Sequence, residues 1–107
     1  MKIYISGQIT GLAINTFSVN FENAIEDIKS KRKEYPYYQY VFVDFINPLD
    51  LKPFLGIKSW FCYMITDIYH LRKCTHIAMQ KNWIHSRGAT IEYYLAKFIF
   101  KHEIIWL

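Results

Sequence analysis

Cysteine is scarce: Cys62 and Cys74 are the only two in 107 residues. Their spacing matches no zinc or redox motif, so both are expected to be free, buried thiols of a cytosolic protein. No apolar run approaches the ~20 residues that cross a membrane. The opening "MKIYIS" is too short and too strand-like for a secretory leader. Internal repeats and low-complexity segments are absent, which gives no ground for a repeat architecture. Basic character is thin as well. The formal charge is +4, and the one dense basic run is "KSKRK" at 29–33. That run reads as a solvated helix end, where cations favour the dipole, so a nucleic-acid polymer is not an expected partner. A mild positive charge suits a small anionic ligand. No cluster of metal-ligand residues stands out, and neither metal nor cofactor is expected.

What the chain does have is a core: 52% of its residues are apolar and 19% aromatic, enough for one folded domain over 1–107. "KIYISG" (2–7) alternates as a β-strand, with Ile3 and Ile5 on one face. A helix capped by Asn15 or Thr16 is predicted to run to about residue 33, burying Phe17, Phe21, Ala24, Ile25 and Ile28. "YVFVDFINP" (40–48) reads as a buried strand ending at Pro48. A second helix is predicted over about 59–73, a strand over 75–80, a third helix to about 101, and a strand over 103–107. The βαβαβαβ order implies right-handed crossovers and an α/β fold: a three-layer, flavodoxin- or Rossmann-like parallel sheet of about four strands with about three helices. Such sheets bind ligands at the carboxyl ends of their strands. Loops 7–15, 47–58 and 80–88 lie at that edge.

Two acids fall on apolar helical stripes. In the third helix Thr90, Tyr94, Lys97 and Lys101 form the solvent face. Glu92 points about 200° away, with Gly88, Ala89, Ala96 and Ile99. In the second helix Ser59, Tyr63, Thr66, His70 and Lys73 form the polar stripe, while Asp67 falls with Trp60, Met64 and Leu71. One such acid is ordinarily a satisfied buried hydrogen-bonding group. Two on neighbouring helices near one ligand edge can divide into nucleophile and general acid. The stretch "HSRGATIE" (85–92) adds an anion site: a helix N-terminus with free N–H groups, the Ser86 hydroxyl and the Arg87 fork. The plainer reading makes Ser86 an N-cap and Arg87 a surface charge.

"MKIYISGQITGL", "INP" (46–48), "DIYHLRKC" (67–74) and "WIHSRGATIEYYLA" (83–96) together resemble the small nucleoside 2-deoxyribosyltransferase-like proteins designated DUF4406, over nearly the whole chain. The wider superfamily includes nucleoside 2-deoxyribosyltransferases and 2'-deoxynucleoside 5'-phosphate N-hydrolases. The resemblance implies Glu92 as the nucleophile on C1' of deoxyribose, Asp67 as the aspartate that protonates or positions the base, and Tyr4 as the tyrosine that orients the nucleophile. It implies Gly7, Gln8 and Gly11 as a loop around sugar and phosphate, joined by Ser86, Arg87 and Gly88. A serine six residues before the glutamate is the hydrolases' pattern and leans towards a nucleotide. The implied partners are a nucleoside or nucleotide and further copies of the chain, since these enzymes complete each site with a neighbour's residue. Gln8 stands where the family commonly has Pro, and Cys74-Thr75 stand where an Asp usually begins the third strand, a position that braces the sheet. The aromatic insertion "KEYPYYQY" reads as a subunit contact.

Three functions compete at this point. The first is an N-glycosidase or deoxyribosyltransferase acting through Glu92. The second is a module of the same fold that binds a nucleotide without cleaving it, and the third a structural protein that has lost its ligand. Retention of two buried-side acids argues against the third, because an unpaired buried carboxylate costs stability.

Overall fold

The computed structural model describes residues 2–9, 12–31, 44–52, 54–57 and 59–107. Among these described residues four strands, β1 (Lys2–Ser6), β2 (Asp44–Ile46), β3 (His76–Met79) and β4 (Glu103–Trp106), form one sheet in the order β2-β1-β3-β4. Every pairing is parallel. The helices are α1 (Ile14–Lys31), α2 (Trp60–Arg72) and α3 (Arg87–Tyr94). The fold is therefore the expected small α/β one.

The layers follow from the pleat. Ile3, Ile5 and Ala78 pack with Phe21, Ala24 and Ile28 of α1. Tyr4, Ile77 and Met79 pack on the opposite face with Leu71 of α2 and Ala96 beyond α3. Central strands buried on both faces read as continuous apolar runs, and β1 departs from this at its half-buried first residue, Lys2, and at Ser6, which is fully buried. The chain leaves β1 for β2 on one side and returns to β3 on the other, so strand order reverses between β1 and β3. The carboxyl ends of those two strands open the crevice where such folds bind ligands.

Thr75 braces the amino edge of the sheet. Its N–H donates to the Lys2 carbonyl at 2.9 Å, its hydroxyl donates to the same carbonyl at 3.1 Å, and that hydroxyl accepts from the Lys2 N–H at 3.1 Å. The hydroxyl thus serves as a brace where the family pattern expects a carboxylate.

The structure departs from the sequence reading in four places. Helix α1 starts at Ile14, so neither Asn15 nor Thr16 is its cap; the carbonyl of Ala13 accepts from the N–H groups of Thr16 and Phe17. The strand expected over 40–48 is β-paired at 44–46, and its first four residues lie outside the described ones, as do Gly11 and the aromatic insertion. Cys74 is buried and Cys62 only partly so; burial pushes the Cys74 thiol up to about 11. The third helix keeps α geometry to Tyr94 and then widens into a π-turn over Leu95–Ile99. The Phe100 N–H bonds the Leu95 carbonyl at 2.9 Å, five residues back, so the extra residue shifts the phase of the stripe. Ile99 consequently faces outward, 66% exposed, where strict α periodicity would bury it.

Among the described residues no helix is long and apolar enough to cross a membrane.

Candidate active site

Tyr4 and Ser6 are two residues apart on β1, so the pleat points both side chains to the face covered by α2 and α3. Both reach Glu92, which α3 presents from its second turn. The Tyr4 hydroxyl donates to Oε2, and the Ser6 hydroxyl donates to Oε1 at 3.0 Å. Glu92 is 5% exposed, yet each oxygen has a donor. Asp67 on α2 is also buried, but its Oδ1 has no hydrogen-bond partner among the described residues.

A cavity of about 540 Å³ opens in front of this pair, within the usual range of small-molecule sites. Asp67, Glu92, Ser86 and Ser18 supply its polar groups, and Phe17, Trp60, Tyr63, Met64, Pro48 and Leu49 its apolar walls. Gly7, Ile9, Gly88 and Ala89 complete the lining. All three loops expected at the ligand edge contribute to it.

The carboxyl groups are both shifted upward. Burial raises Asp67 to about 7. Burial first, and then the charge of Asp67, raise Glu92 to about 8, against the pull of the hydrogen bonds from Tyr4 and Ser6. Burial and the neighbouring acids also hold the Tyr4 phenol well above its ordinary range, so it remains a donor. Near neutral pH the two acids together hold about one proton.

The proposed anion-binding residues separate. Ser86 caps α3, accepting from the Ala89 N–H at 3.2 Å, and lines the cavity as well; the cap and the site are the same residue. Gly88 lies where a side chain would come within 3.1 Å of Met64 Sδ, so its bareness lets α3 approach α2. Arg87 is exposed and outside the cavity lining; its guanidinium lies 4.7 Å over the Trp60 ring. Gln8 does not line the cavity either, and its N–H donates to Asn82 Oδ1 at 3.1 Å. Gly7 does line it, and a Cβ there would meet the buried Gln80 side chain at 2.5 Å.

Ser6 is the residue that sequence reasoning missed. The signal was present, since a polar side chain two positions after Tyr4 shares its strand face.

No curated protein and no solved structure matches the chain. One family model does, over residues 1–105, and by that match the chain belongs to the DUF4406 family, a domain of unknown function.

Proposed function

We propose that the chain is an N-glycosidase or deoxyribosyltransferase acting on a 2'-deoxynucleoside or its 5'-monophosphate, with Glu92 as nucleophile. The observation that carries this reading is the Glu92 carboxylate, held at both oxygens by Tyr4 and Ser6 on the wall it shares with Asp67. A carboxylate so fixed beside a second acid suits a glycosidic bond that breaks through an oxocarbenium-like state. A carboxylate oxygen of Glu92 bonds to C1' as the C1'–N bond breaks, and the electron pair leaves with the base. Asp67 supplies the proton that the departing base takes up. Water or a second base then attacks C1', giving its proton to the Asp67 carboxylate, and the C1'–O bond breaks to free Glu92.

The proton must sit on Asp67 for that division of labour. In the open cavity the deeper burial of Glu92 works against it. A bound substrate removes water from Asp67 too, and the two hydroxyls on Glu92 then become the difference between the acids, drawing the charge onto Glu92. The apolar walls suit the flat face of a nucleobase. Ser86 and the N-terminal N–H groups of α3 suit a 5'-phosphate.

The reading extends to a cytoplasmic homo-oligomer. Free thiols are at home in the cytoplasm. The exposed Trp60 and Tyr63 rings at the cavity are of the kind that subunit contacts cover. Sedimentation of the purified protein tests the assembly.

The activity itself is tested by incubating the protein with each deoxynucleoside 5'-monophosphate, with and without a second free base, and following base release or exchange by chromatography. Release is expected from the wild type and not from Glu92→Ala. No release, with a nucleotide-dependent rise in melting temperature, would replace this reading with a binding module.

A further inference from the structure

A carboxylate held through one oxygen still swings about its terminal torsion, which is broad and roughly two-fold. Glu92 is held through both. The second donor, Ser6, is fully buried in a strand otherwise filled by Ile3, Tyr4 and Ile5. Its backbone is fixed by the pairing of Ser6 with Met79 and by the Gln80 N–H, which donates to its carbonyl at 2.9 Å. A hydroxyl in such a place is costly unless it is bonded, and its partner is Glu92 Oε1.

We infer that Ser6 is a positioning residue for the nucleophile: with Tyr4 it fixes the plane of the Glu92 carboxylate towards the cavity and supports the anion that must attack. The titratable groups facing Glu92 are Tyr4 from β1 and Asp67 from α2. Ser6 adds a donor that does not itself ionise, so it favours the charged carboxylate at every pH. The kinetic part of this inference rests on the glycosidase reading; the effect on Glu92 itself does not.

The test compares wild type with Ser6→Ala and the nearly isosteric Ser6→Cys. Carbon-13 NMR follows the titration of the Glu92 side-chain carboxyl in the empty protein, and steady-state kinetics follow base release from deoxynucleotides. In Ser6→Ala the Glu92 midpoint is expected to rise by roughly half to one pH unit, the effect of one ordinary hydrogen bond. The kcat is expected to fall about tenfold with KM within about twofold, because the lost contact matters most in the transition state. The alkaline limb of the kcat/KM profile, set by the higher of the two folded values, that of Glu92, should move to higher pH with the midpoint. Ser6→Cys, a weaker donor, should fall between the two. If Ser6→Ala does not fold, Ser6→Cys carries the comparison. An unshifted midpoint, or a shifted midpoint with unchanged kcat, overturns the inference. If the wild type releases no base, the glycosidase reading falls, and the midpoint alone decides whether Ser6 supports the Glu92 anion.

Discussion

At the scale of single residues, Glu92 lies under opposing influences. Burial and Asp67 keep its proton on, while Tyr4 and Ser6 draw its charge out. Glu92→Gln keeps the shape and removes the proposed nucleophile, so base release is expected to fall by at least about 10³-fold in a chromatographic assay. The proposed reaction needs one proton on the pair. The kcat/KM of the wild type should therefore be bell-shaped, highest between about 7 and about 8, where Asp67 and Glu92 titrate. Below that window both acids are protonated and the nucleophile is lost; above it both are ionised and the proton donor is lost. Asp67 and Glu92 were legible because helical periodicity sets an acid against an apolar stripe, and Tyr4 because the resemblance singled it out. Ser6 was not, because the isoleucines drew the reading of β1 to its other face. The direction of Arg87 was not legible either, since it depends on Trp60, which only the folded chain brings alongside.

At the scale of elements, the start of α3 does two things at one residue. Ser86→Asp separates them. Aspartate caps a helix as well as serine and suits the positive end of the dipole, so the melting temperature should stay within a few degrees. The added charge should repel a phosphate, so turnover of a 5'-monophosphate should fall by tenfold or more while the unphosphorylated nucleoside keeps its rate. The far end of the same helix carries a different strain. Lys101 sits at φ 55°, a left-handed conformation that glycine adopts without penalty at helix ends. Lys101→Gly should stabilise the protein by about 1 kcal/mol, read as a rise of roughly 5 °C in melting temperature. The strands, helices and their order were legible from period and punctuation. The π-turn was not, because one extra residue in a turn leaves no mark on local composition and is fixed by packing on the sheet.

At the scale of the whole molecule, two raised acids couple stability to pH. Unfolded, Asp67 and Glu92 titrate near 3.8 and 4.5; folded, near 7 and 8. Below about pH 4 both states carry the neutral acids and their contribution is intact. As pH climbs from there to the folded values, the unfolded chain ionises while the folded chain keeps its protons, so stability drains away and levels off above about pH 8. The melting temperature should fall by at least ~5 °C between pH 5 and pH 8, and the double variant Asp67→Asn/Glu92→Gln should flatten that slope. The doubly wound sheet that buries these acids was legible from the βαβ order, but the depth of their burial depends on how closely α2 and α3 approach, which Gly88 permits. The pleat of β1 also constrains how such a protein can change over generations. Tyr4 and Ser6 alternate with Ile3 and Ile5, and Thr75 clamps the strand's first residue in place. Gaining or losing a single codon inside β1 would turn isoleucine towards Glu92 and a hydroxyl towards Phe21, so the core and the site would fail in the same step. Point substitutions can retune this cradle one group at a time, but changes of length must be confined to the loops.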